Sequence, residues 1–262
     1  MLVTPRQRVR GIRAIIAQKL YNYYSMNLFL CQESICTNRI GYSYTPTIEY
    51  RKDDNMTSVK MRENSLFMRN GFQTAGRWEL PVIRKQEIPL DNVRLIACSD
   101  TRVNDCPANT ECGVHFYVDD YRFNGIYANP ERSLEKYAQY AFLLSPDNST
   151  YADMNYWRQL ESIAHSRWVG AYWQSCGLIV IPTISWSDPR SYGFCFDGVE
   201  HGSIVSVGMI GCKRSKPEFL HGYNAMVEAI EPSAVLVFGT PFPEMKGNVV
   251  AVDYRASRKV VR

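Results

Sequence analysis

Residues Arg167 to Trp186 read RWVGAYWQSCGLIVIPTISW, and this joint decides the fold class. Upstream of it, Tyr156, Leu160, Ile163, Ala164, Trp168, Ala171 and Tyr172 recur at steps of three and four. That spacing puts them on one face of a helix starting near Asn155. Gly177 stands where a helix ends on a glycine C-cap. LIVIPTISW then continues as a short, apolar, β-branched segment, the pattern of a strand buried on both faces. Helix, tight glycine turn and buried strand in succession form the joint of a parallel α/β sheet. Thr183, Ser185 and Trp186 make the strand's C-terminal end polar, and clefts form at such ends in α/β folds.

Working outward, strands and helices alternate. VRLIAC (93–98), VHFYV (114–118), 141–144, 178–185, 203–207, 234–238 and 249–252 are predicted as strands. WELPVI is a candidate edge strand, since proline is tolerated there. Asn129 followed by Pro130 opens a helix through SLEKYAQY, and Pro217 opens another through LHGYNAMVEAI. Seven strands with polar tips fit a mostly parallel sheet in a barrel-like (β/α) arrangement, with an open doubly wound sheet as the alternative. Residues 1–76 read as an N-terminal extension with one helix at 14–30 and polar, turn-rich sequence after it, and 77–262 as the α/β domain.

The totals bound the function. Hydrophobic content of 45% and charged content of 21% over 262 residues exclude wholesale disorder. No apolar run reaches the length of a membrane-spanning helix, so no membrane partner is expected. No secretory signal pattern is present at the N-terminus, and a cytoplasmic location is the expectation. Residues 1–13 and 255–262 each hold four basic residues and no acid. Setting those eight aside leaves 22 of the 30 basic residues against 26 acidic ones. Basic tails on an acidic body are either nucleic-acid contacts or solvated ends.

The predicted strand tips carry the candidate chemistry. If the strands are parallel, Asp100, Asp119, Asp120, Asp147, Ser149, Thr183, Ser185 and Trp186 share one rim. Asp119 and Asp147, supported by Asp100, are the candidate catalytic carboxylates. Asp120, Ser149, Thr183, Ser185 and Trp186 are candidates for holding substrate. Clustered carboxylates either hold Mg²⁺ or divide into a general acid and a general base. The competing reading makes each aspartate a cap of the next turn. Arg167, Trp173 and Gln174 fall toward the opposite rim, and His115, inside its strand, reads as a satisfied histidine. Cys31, Cys36, Cys106 and Cys112 lack knuckle spacing, which disfavours structural zinc, and Cys98, Cys176 and Cys212 read as small core residues. P-loop, dinucleotide, serine-hydrolase-elbow and paired-histidine zinc motifs are all absent.

From Trp78 to Tyr254 a series of pieces carries a resemblance: ELPVIRKQEI, HFYVDDYRF, LLSPDNS, SRWVGAYWQ, VIPTISW, FCFDGVEHGSIVSVG, GTPFPEMKG and VDYR. In this order they resemble the DUF4417 family, a domain of unknown function found in bacterial, phage and plasmid-like sequences. The family pattern usually has Phe where this chain has Asn148, and Cys98, Cys106 and Cys112 are not part of it. The resemblance implies a mobile-element protein with nucleotide or nucleic acid as a substrate or partner class. Two functions follow as expectations. One is a hydrolase or transferase acting on nucleotide, nucleic acid or sugar-phosphate. The other is a non-catalytic accessory protein binding nucleic acid or a host protein.

Overall fold

The computed structural model describes residues 69, 71–255 and 257, and the expected N-terminal helix and the basic tails lie outside them. Residues 72–255 belong to one compact unit. The chain enters through a two-stranded antiparallel ribbon, β1 (Thr74–Ala75) and β2 (Leu80–Pro81). A single parallel bridge then ties Ile83 to Val199.

The body is an α/β structure of parallel strands. β3 (Leu95–Ala97), β4 (Gly113–His115), β5 (Phe142–Leu144) and β6 (Val180–Ile181) pair in that order. β7 (Ile204–Gly208), β8 (Ala234–Phe238) and β9 (Val249–Val252) form a second parallel run. The bridge Thr183↔Ser206 links the two, with Ile184 N–H donating to Ser206 O at 2.8 Å and Ser206 N–H to Pro182 O at 2.9 Å. Among the described residues no ladder joins β9 to β3, so the expected barrel is not closed by backbone pairing. The strands also end earlier than predicted: the ladders stop after His115 and Ile181, beyond which Tyr117 N–H turns back to His115 Nδ1 and the 182–184 backbone makes the single bridge to Ser206.

Side chains of β7 and β8 alternate strictly, as the pleat requires. Val205, Val207, Val235 and Val237 pack with Phe219, Tyr223, Met226 and Ile230 of a long helix. Ile204, Ala234, Leu236 and Phe238 join Leu95, Phe142, Leu144, Ile181, Val252 and Tyr117 in a second cluster. The sheet is thus buried on both faces, the reason its strands read as continuous apolar runs.

Two long helices flank it, α1 (Tyr156–Ser175) and α2 (Lys216–Ile230). α1 ends as its sequence predicts. Gly177 has φ +85°, its N–H donates to Gln174 O at 2.9 Å, and Leu178 N–H donates to Trp173 O at 3.1 Å, the paired bonds of a Schellman ending. The C-terminal half of α1 is buried all round from Ser166 to Trp173, which the one-sided apolar pattern did not indicate. Gly170 permits this: a Cβ there would lie 2.4 Å from Ile83 Cδ1. Trp173 meets Phe116 and Tyr137 in an aromatic core. The helix expected from Pro130 through SLEKYAQY divides into a 3₁₀ turn (Pro130–Ser133) and a short helix (Leu134–Ala138), with Asn129 Oδ1 accepting from Arg132 N–H. No described helix is long and apolar enough to cross a membrane.

Candidate functional site

The inward register of β4 continues past the ladder through His115 and Tyr117. Tyr117 lies across the C-terminal end of β7: a Cβ on Gly208 would come within 2.9 Å of its ring, so glycine is required at 208. The ring stacks on Phe238 at 4.9 Å. Its hydroxyl shares a hydrogen bond with Ser206 Oγ at 2.7 Å, and Ser206 Oγ also lies 3.1 Å from Leu236 O. Burial and the nearby Asp147 carboxylate push the Tyr117 phenol well above its ordinary range. It stays neutral, a wall rather than a base.

His115 is not the satisfied histidine expected. Its Nδ1 accepts from Tyr117 N–H at 3.2 Å, while Nε2 is buried with no partner among the described residues. Phe238 lies 4.4 Å away, and burial lowers the imidazole to about 3. With Nδ1 an acceptor, Nε2 carries the hydrogen of a neutral ring.

Beyond the strand tips the rim residues separate into two groups. Asp120 and Ser149 are brought together: Asp120 Oδ1 accepts from Ser149 Oγ at 2.8 Å, and Oδ2 from Ser149 N–H at 3.1 Å. Tyr151 OH donates to Ser149 Oγ at 3.2 Å, and Ser162 Oγ of α1 donates to Ser149 O at 2.9 Å. The loops after β4 and β5 are thereby clamped to each other and to α1. Asp147 stands in this clamp, half-buried and with no hydrogen bond among the described residues. Burial first, and the Asp120 carboxylate second, push Asp147 up to about 7. Its field also reaches Tyr117 and Cys212.

The remaining candidates stand apart. Asp100 and Asp119 are exposed, and Asp119 heads a 3₁₀ turn (Asp120–Arg122) without capping it through its side chain. Thr183 is buried, donating from Oγ1 to Ser145 O at 2.7 Å and from N to Ser145 Oγ at 2.9 Å, which ties β6 to β5. Ser185 is half-buried. Trp186 packs on α2, where a Cβ on Gly222 would sit 2.1 Å from its Nε1. Gln174 is at the opposite rim as expected, bonding Val180 O at 3.2 Å. Arg167 is not: its buried guanidinium donates to Thr183 O, Cys195 O and Asp197 O at 2.7–3.0 Å. It holds the C-terminal end of β6, and burial lowers it to about 10.

Among the described residues, no three Cys, His, Asp or Glu side chains converge on a point where a metal would sit, and the six described cysteines are free thiols. Asp120 accepts from Ser149 at each of its two oxygens, which fixes the carboxylate and leaves a lone pair on each. The acidic donors of the rim are Asp120 and Asp147, so a cation held there would take its remaining ligands from water or substrate oxygens. Cys31 and Cys36 lie outside the described residues.

Sequence reasoning missed Tyr117, Ser206 and the orphaned His115 nitrogen. Their signal was there: polar residues at the inward register of otherwise apolar strands. Beside the clamp lies a cavity of about 230 Å³, lined by Asp120, Asn124, Tyr127, Asn148, Arg158 and His165 among others.

Compared with known proteins, residues 72–255 match the profile of the domain of unknown function DUF4417. The chain is 36% identical over 179 residues to the Gene 1 protein of Mycobacterium phage L5, an alignment covering 66% of this chain and 76% of the relative. It is 33% identical over 177 residues to the Gene 1 protein of Mycobacterium phage D29, covering 66% of this chain and 65% of that relative. No solved structure matches it.

Proposed function

The chain belongs to the DUF4417 family, and from the geometry of its rim we propose a hydrolase or transferase of sugar-bearing substrates in which Asp147 is the general acid. One observation carries this reading: a half-buried carboxyl with no hydrogen-bond partner among the described residues, held near neutrality at a strand tip, beside a second carboxylate fixed in place. A general acid works best when its pKa lies near the operating pH. Protonated Asp147 gives its proton to the leaving oxygen as the bond to it breaks. The incoming hydroxyl, of water or of an acceptor, forms the new bond and yields its proton to Asp120. Solvent then returns both groups to their starting states. Tyr117 and Thr183 floor the site.

Seven strands in consecutive order, with an inner cluster drawing on both end strands, support reading the sheet as an open barrel with this rim at its C-terminal mouth. Nucleotide, nucleic acid and sugar-phosphate are the substrate classes carried from the sequence. The accessory nucleic-acid-binding alternative drew on basic tails that lie outside the described residues.

The test is a thermal-shift screen of the full chain against nucleotides, short oligonucleotides, sugar phosphates and neutral sugars, run beside Asp120→Asn and Asp147→Asn. The expected result is a stabilising compound that Asp120→Asn no longer recognises. Its turnover should fall about 100- to 10,000-fold in Asp147→Asn. Stabilisation that is indifferent to both substitutions would overturn the assignment.

A further inference from the structure

The run of seven parallel strands ends in two edges, one on β3 and one on β9. On β3, Arg94 O accepts from Gly113 N–H and Cys98 N–H donates to His115 O, so Arg94, Ile96 and Cys98 face β4. Leu95 lies between them and turns its backbone groups the other way, as a parallel ladder requires. On β9, Asn248 O and Val252 O accept from Val235 N–H and Gly239 N–H, so Val250 also faces β8 and Ala251 turns away. Neither Leu95 nor Ala251 has a backbone hydrogen bond among the described residues. Both line one cavity of about 450 Å³. Its wall takes neighbouring residues of each strand, Leu95 with Ile96 and Ala251 with Val252. Successive strand residues point to opposite faces of a sheet. A cavity that touches both members of each pair therefore lies at the edges, between β3 and β9, and not over one face. It is a seam in the sheet, and neither Asp120 nor Asp147 lines it.

What the walls lack says what fills the seam. Each edge presents an unspent N–H and an unspent C=O, the groups that another strand would pair. Natural edges refuse such pairing with lysine, proline or a bulge. β9 reads Val-Val-Ala-Val in unbroken register with β8, and Ala251 is exposed, so it carries none of these. Charge narrows the choice further. The two charged side chains in the wall are committed, Arg94 to Glu111 at 2.9 Å and Asp253 to Arg255 N–H at 2.8 Å. The rest of the wall is neutral and mostly apolar, which complements an uncharged occupant. Its length is set as well. The wall follows Val93–Ile96 on one side and Val250–Asp253 on the other, about 13 Å of extended chain.

We infer that the seam between β3 and β9 binds a short, uncharged, extended peptide segment of a partner protein, added as a strand that pairs with both edges through its backbone. Backbone bonds at Leu95 and Ala251 hold it, and the apolar wall receives its side chains. The inference is independent of the chemistry proposed for Asp147.

Isothermal titration of the full chain with three capped hexapeptides, in which threonine alternates with valine, leucine or phenylalanine, tests it. At least one should bind, and equally at low and high salt. Methylating the backbone nitrogens of that peptide should weaken it about tenfold or more, since the donors are then gone. Hydrogen exchange at the Leu95 and Ala251 amides should slow when it binds. Ala108→Trp, at an exposed position in the cavity wall, should abolish binding with Tm unchanged, and Asp147→Asn should bind as the wild type does. No binding of any of the three peptides overturns the inference. So does binding that N-methylation leaves intact, or slowed exchange that spares both edges. Self-association of the full chain that Ala108→Trp abolishes also overturns it, in favour of a second copy at the seam.

Discussion

Asp147→Asn should make the protein more stable at alkaline pH and leave it unchanged in acid. The folded state holds this carboxyl up from 3.8 to about 7, so between those limits the folded chain keeps a proton that the unfolded chain releases. Stability from this group is full below pH 3.8, falls as pH rises, and is lost once pH passes about 7. At about 1.4 kcal/mol per pH unit, the ionised side chain costs about 4 kcal/mol, or about 2 kcal/mol once water reaching a half-buried carboxylate is allowed for. Asparagine has the same shape and no charge to bury. At about 2–4 °C per kcal/mol for a chain of this size, its Tm should exceed the wild type's by about 4–8 °C at roughly pH 8.5. The two should coincide near pH 4. Differential scanning calorimetry across that range is the assay. A Tm difference independent of pH would refute the argument, because then Asp147 is not displaced and has no reason to act as an acid near neutrality. A stability cost concentrated at one accessible carboxyl is what function, rather than folding, would retain.

His115 titrates in the opposite sense. Its imidazole falls from 6.5 to about 3, so its stability is present above pH 6.5 and is lost as pH falls toward 3. His115→Asn, whose Oδ1 can still accept from Tyr117 N–H, should flatten the drop in Tm between pH 7 and pH 4, and an unchanged slope would remove His115 from the account. Gly208→Ala drives a methyl into the Tyr117 ring 2.9 Å away and should cost about 1–3 kcal/mol in urea unfolding. Tyr117→Leu in the same background should recover part of that loss, and no recovery would mean the clash lies elsewhere. Arg167→Met strands three buried carbonyls that the guanidinium now satisfies; a loss of about 3 kcal/mol or more is expected, and a neutral effect in chemical denaturation would count against the clamp.

Much of the fold was legible in particular residues. The ending at Gly177, the strands at 234–238 and 249–252, and the helix opened at Pro217 depend on local rules of cap chemistry and apolar run length, which neighbours in sequence carry in full. The short ladder of β4 was less so. His115 and Tyr117 look like two more residues of an apolar strand, and only the packing of Tyr117 on Gly208 shows why the chain leaves the sheet there. For the site, the rim position of Asp147 and Ser149 was readable, as was the company of Asp120. Its division was not: Trp186, a candidate for holding substrate, packs on Gly222, while Arg167 reaches back to the end of β6.

Alternation, glycine punctuation and polar strand ends are properties of short segments, so the sequence alone determined that this chain forms parallel strands with carboxylates at their tips. Which carboxylates meet is a matter of register between distant segments. Asp120 and Ser149 are 29 residues apart, and Tyr117 and Ser206 are 89 apart. Only the packed structure brings them within hydrogen-bond distance and withdraws water from Asp147. A pKa near 7 follows from that withdrawal and from the like charge of Asp120, and no local pattern of residues encodes either.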